Sequence, residues 1–149
     1  MTIKDVLQMR EAIATYYAAE FHKGAIITNP ADIAHFAAAT FGGSRVEHIW
    51  AFLLDGSHCV KQWKEFSKGT VDTAPLSVRE LARWALLQDA VAVVLVHNHP
   101  SGKLAFSGAD NTLTLAVKAA LKLFQIKLLD HLIVAPDGAF TSAQETGML

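Results

Sequence analysis

Residues 90–96 read Ala-Val-Ala-Val-Val-Leu-Val, an apolar run with four valines and no polar member. Branched side chains of this kind favour extended backbone, and a strand apolar on both faces has to be covered on both. The run therefore predicts a strand inside a sheet that carries helices above and below. A tight polar loop from His97 to Phe106 is expected to follow it.

The rest of the chain supplies the covering layers. Residues 5–20 and 32–40 have helical composition, the second starting after Asn29-Pro30, and Gly42-Gly43 breaks the pattern. A hairpin is expected next, with strands Glu47 to Leu54 and Val60 to Phe66 joined at Asp55-Gly56. After a loop over 68–76, Ser77 with Glu80 forms a capping-box pattern that opens a helix to about Gln88. Leu113, Ala116, Val117, Ala120, Leu121 and Phe124 recur at helical spacing, with Lys118 and Lys122 on the other side. Lys127 to Ala135 reads as a strand, and Pro136-Asp137-Gly138 turns into a short last strand near Phe140. Because strands and helices interleave and a hairpin comes early, the expected class is α/β, a mixed sheet flanked by helices on both faces.

Size and charge bound the function. At 149 residues the chain fits one domain, read as 1–149 with 1–23 as an N-terminal helical extension. The 52% hydrophobic and 18% charged content excludes a chain that is disordered as a whole. Thirteen Lys and Arg against 14 Asp and Glu leave a formal charge of −1, so no overall field draws the domain to nucleic acid or an anionic membrane. Lys61, Lys64 and Lys68 form the one basic cluster, read as a solvated strand edge. A lone cysteine, Cys59, allows neither an internal disulfide nor a CxxC site. With no signal-peptide pattern and no membrane-length apolar run, the expected location is cytoplasmic.

The chemistry concentrates in His97-Asn98-His99-Pro100-Ser101-Gly102 and in Ser107-Gly108-Ala109-Asp110. Two histidines one residue apart at a strand end can turn towards one point, and an aspartate in the first turn of the next helix can join them. Imidazole nitrogens and a carboxylate oxygen bind Zn²⁺ at about 2.0–2.2 Å, and three protein donors leave a fourth position for water. His97, His99 and Asp110 are the candidate ligands. A plainer reading stays open, in which Ser107 and Asp110 are a helix cap and the histidines are polar loop residues.

On these residues the chain resembles the JAB/MPN metalloproteases with the JAMM signature, and within them the RadC-like proteins. The shared pattern is an early-strand glutamate, His-x-His, ten residues and an aspartate, with a serine three before it. Here these are Glu47, His97, His99, Asp110 and Ser107; HNHPSG at 97–102 and LLDHLIV at 128–134 look specifically RadC-like. The resemblance covers about Gly24 to Leu149 and implies a three-layer fold similar to that of cytidine deaminases. It also implies zinc on His97, His99 and Asp110, with Glu47 as general acid/base. Ser107 would hydrogen-bond the developing oxyanion, in a hydrolase of peptide or isopeptide bonds. Zinc would acidify its water, Glu47 would carry the proton, and zinc with Ser107 would stabilise charge on the attacked oxygen.

Lys103-Leu104-Ala105-Phe106 stands where the RadC-like pattern has an acid and prolines. Only about 45 residues precede Glu47, without the Gly-x-Gly turn of a helix-hairpin-helix, and the 68–76 loop is short for a ubiquitin clasp. His48 should face away from Glu47 by strand alternation, and His131 is read as a buried or supporting histidine. Alternatives to a peptidase are a DNA-repair nuclease or processing factor, and a non-catalytic zinc-containing binding module.

Overall fold

In the computed structural model, which describes residues 1–27, 29–69 and 76–149, the apolar run forms the middle strand of a five-stranded sheet. Helices α1 (Ile3–His22) and α2 (Ala31–Phe41) come first, followed by the hairpin β1 (Glu47–Leu54) and β2 (Val60–Gly69). Next are α3 (Val78–Leu87), β3 (Ala92–Asn98), α4 (Gly108–Lys122), β4 (Lys127–Val134) and β5 (Phe140–Ser142). Strand order is β2-β1-β3-β4-β5. Only β3 and β4 run parallel, joined through α4, so the sheet is mixed, as the hairpin requires.

All seven residues of β3 are buried, and their alternation builds two cores. Ala92, Val94 and Val96 pack with α1 and α2, where Phe21 and Phe36 meet each other edge to face and meet Phe52 of β1 and Trp63 of β2 in the same way. Val93 and Leu95 pack with Leu81 and Ala85 of α3 and with Val117 and Leu121 of α4. Phe52, fully buried in the first layer, would cost about 3–5 kcal/mol if cut to alanine. The tip of α2 lies close to the sheet, since a Cβ on Gly42 would sit 3.1 Å from the Ala135 carbonyl oxygen. Among the described residues no helix is long and apolar enough to cross a membrane.

Several boundaries differ from expectation. The central strand runs Ala92–Asn98, so His97 and Asn98 belong to the sheet and not to the loop. His97 pairs in register with Ile49 on one side and Ile133 on the other, and this long-range pairing carries the strand past the end of the apolar run. Strand β2 extends to Gly69 because β1 offers partners as far as Glu47; of the expected 68–76 loop, 70–75 lie outside the described residues. The capping box at Ser77 is half made: its hydroxyl accepts the Glu80 N–H, with no return bond from the Glu80 carboxylate. The inward stripe of α4 is Asp110, Thr114, Val117 and Leu121, whereas Ala116 and Phe124 are exposed. That turn of the helix face follows from what Thr114 meets in the sheet.

Candidate metal centre

Local structure carries His97, His99 and Asp110 to one place. On β3 the odd-numbered side chains face α3 and α4, so His97 leaves the sheet towards the start of α4. His99 lies one same-face step further, where the chain turns at Pro100-Ser101. Ser107 begins α4 with a full capping box: its hydroxyl accepts the Asp110 N–H at 3.1 Å, and its own N–H donates to Asp110 Oδ2 at 2.8 Å. That cap orients the first turn and aims the Asp110 carboxylate back at the strand end.

The resulting triangle is small. His97 Nε2 and His99 Nε2 are 2.9 Å apart, His99 Nε2 is 2.9 Å from Asp110 Oδ2, and His97 Nε2 is 3.3 Å from Asp110 Oδ1. Donors sharing one tetrahedral zinc at 2.0–2.1 Å stand about 3.3 Å apart, so these atoms are on the right scale. Proton placement fits as well. His99 Nδ1 lies 2.9 Å from the Lys103 carbonyl oxygen, which can only accept; Nδ1 therefore donates and Nε2 is the nitrogen left for a ligand. His97 and Asp110 are buried and His99 half-buried, and the three can hold a metal ion.

A family model described as the RadC-like JAB domain matches residues 27–148. The chain belongs to the RadC-like JAB domain family. A UPF0758 protein of Stenotrophomonas maltophilia (strain K279a) is 38% identical over 135 residues, covering 90% of this chain and 57% of that protein. One from Chromohalobacter salexigens is 39% identical over 127 residues, covering 85% and 56%, and one from Nitrosococcus oceani is 38% identical over the same length and shares. The chain thus spans under three fifths of the length of these relatives.

In this RadC-like domain the other two site candidates stand nearby. Glu47 opens β1 on the same face as Ile49, Ala51 and Leu53, hence on the metal side of the sheet. Ile49 opposes His97 in the ladder, and one further same-face step sets Glu47 across from His99. Burial pushes the Glu47 carboxyl above its ordinary range; Asp110 adds to the rise, while His97 and His99 oppose it. Ser107 is exposed at the helix cap and is not one of the three converging donors. His48 faces the opposite layer, stacked on Phe41 at 5.2 Å and bonded to Ser44 and Glu65.

The charges at the site are coupled. Although burial opposes it, the His97 and His99 imidazoles beside it and the Ser107 N–H hold Asp110 well below the usual carboxylate range. The bond to Asp110, against burial, raises His99 above the ordinary imidazole value. A proton on His99 can thus occupy the place a cation would take.

Two contributors escaped the sequence reading. Asn98 is fully buried, accepts the His48 N–H at 2.7 Å and donates to the Val46 carbonyl at 3.1 Å, straddling Glu47 where the β1–β3 ladder ends. The signal was a lone amide between two histidines in an apolar strand, which alternation sends to the face opposite both. Thr114, four residues after Asp110, is the only other polar member of the inward α4 stripe and meets His131 at 2.6 Å.

Proposed function

We propose that this RadC-like domain is a zinc-dependent hydrolase of amide bonds, a metallopeptidase or isopeptidase acting on a peptide or protein. One observation carries the reading: His97, His99 and Asp110 converge within 4.8 Å, on the face of the sheet that also holds Glu47. Two imidazoles and one carboxylate are a donor set suited to zinc. Zinc, when bound, supplies a Lewis acid that acidifies water and polarises a carbonyl.

The chain's own residues do the rest. Glu47, its carboxyl raised by burial, accepts a proton from water and returns it to the leaving amine. A carboxyl shifted towards neutrality performs both transfers better than one at the ordinary value. The Ser107 hydroxyl spends a lone pair on the Asp110 N–H, so its proton remains available to the oxygen that gains charge. Asn98 holds the backbone on both sides of Glu47 and sets the direction of its side chain. The formal charge of −1 gives no support to a nucleic-acid substrate.

The test pairs metal content with hydrolysis in the Glu47→Gln variant, using zinc-loaded full chain against unfolded peptides and isopeptide-linked model substrates. Zinc retained with cleavage lowered about 10²–10⁴-fold is the expected outcome. Cleavage undiminished in Glu47→Gln, or a zinc-loaded wild type that cleaves neither class, would overturn the proposal.

A further inference from the structure

The metal-facing nitrogen of His97 is set by groups behind it. Its Nδ1 lies 2.7 Å from His131 Nε2, and His131 Nδ1 lies 2.6 Å from Thr114 Oγ1. The Thr114 hydroxyl in turn donates to the Asp110 backbone carbonyl at 2.7 Å. That carbonyl can only accept, so the hydroxyl proton is committed to it, and Thr114 has only a lone pair to offer His131. His131 Nδ1 therefore carries a proton and donates. His131 is fully buried, and its ring nitrogens meet a hydroxyl and another imidazole, with no carboxylate to balance a cation. Its Nε2 is then a lone pair that accepts from His97 Nδ1–H, which leaves His97 Nε2 bare towards His99 and Asp110.

This chain of bonds exists because of an irregularity in β4. The β3–β4 ladder pairs Val93 with Leu128 but Val94 with Asp130, so Leu129 is an extra residue. Leu128 packs on the α3/α4 side, whereas Leu132 packs on the α1/α2 side. Without the extra residue, alternation would send His131 to the α1/α2 side, away from His97. The bulge reverses the faces and turns His131 under the metal centre. Asp130 accepts the His131 N–H, the Ser142 hydroxyl and the Gln144 N–H, holding the bulge against β5 and the segment after it.

We propose that Leu129, His131 and Thr114 form a positioning device that keeps the His97 proton on Nδ1 and so presents Nε2 as a metal donor. The proposal deepens the reading of His97, His99 and Asp110 as a metal centre. His131 and Thr114 are positioning residues; neither is among the three converging donors. Groups that hold the second nitrogen of a ligating imidazole typically change metal affinity by about 10–100-fold when removed.

Two measurements decide it. In metal-free wild type, nitrogen-15 correlation spectra of the histidine side chains should show His97 as the Nδ1–H tautomer. An Nε2–H tautomer would overturn the proposal, whether or not the chain binds zinc or cleaves anything. Zinc affinity is then measured by chelator competition in His131→Leu, His131→Gln, Thr114→Val and Thr114→Ser. Leucine and valine remove the acceptor or the hydroxyl and should weaken zinc about 10–100-fold. Glutamine, which can still accept from His97, and serine, which keeps the hydroxyl, should restore most of the loss. Unchanged zinc affinity in both His131→Leu and Thr114→Val would overturn it. A wild type without zinc affinity would sink the metal-centre reading, while the tautomer spectrum would still judge this one.

Discussion

Removing one ligand and asking whether zinc still stabilises the fold tests the metal centre without knowledge of a substrate. His99→Ala is the informative perturbation, because His99 is half-buried and its loss leaves little cavity. In the metal-free state the variant forfeits the Nδ1 bond to the Lys103 carbonyl and the Nε2 bond to the Asp110 carboxylate, both 2.9 Å. A neutral bond contributes about 1 kcal/mol and one to a charged group about 1.5–3, so partial exposure puts the loss at about 2 kcal/mol. At roughly 2–4 °C per kcal/mol for a chain this size, Tm should fall by about 4–8 °C. Free zinc at 100 times Kd stabilises a binding-competent fold by about 2.7 kcal/mol, and wild-type Tm should rise by about 5–11 °C. If the variant binds 100-fold more weakly, the same zinc adds only about 0.4 kcal/mol, or roughly 1 °C. Thermal unfolding of both proteins, with buffered zinc and with chelator, closes the cycle. An equal zinc-induced rise in His99→Ala, or no rise in wild type, would refute the assignment of His99.

Asn98→Ala should cost about 2–4 kcal/mol in urea unfolding, because it strands the His48 N–H and the Val46 carbonyl at the ladder's end; a loss under about 0.5 kcal/mol would discard its bridging role. Zinc affinity should fall as pH drops through the raised His99 value, above the ordinary 6.5 or so, because the proton and the cation compete for Nε2 while Asp110 stays ionised. The sign reverses for metal-free stability: the His99 contribution is fully present below the unfolded imidazole value and lost as pH rises through the folded one. Chelator competition from pH 5.5 to 8.5 should therefore show affinity rising with pH across the raised imidazole range, and a flat profile would contradict the geometry at His99.

Much of the architecture was legible in local pattern. The apolar run at 90–96 demanded two covering layers, and both are present as α1/α2 and α3/α4. The spacing of His97, His99 and Asp110 placed three donors across a strand end and a helix start, and those donors meet. The Ser107–Asp110 cap, also visible in the residues, is the device that aims the carboxylate. Of the apolar spacing along α4, Val117 and Leu121 are buried while Ala116 and Phe124 are exposed, because apolar periodicity says nothing of a threonine that must face a buried histidine.

The sequence by itself determined the elements, the layer order they imply and the three donor residues, because periodicity, capping and close spacing are short-range properties. Tertiary structure alone decided which nitrogen of His97 faces the donors, how Asn98 straddles Glu47, and that His131 stands beneath the site. Those outcomes depend on register between strands far apart in the chain; His97 and His131 are 34 residues apart. One extra residue at Leu129 reverses a face without altering local composition, so hydrogen bonding between neighbouring strands, and not residue preference, settles where His131 points.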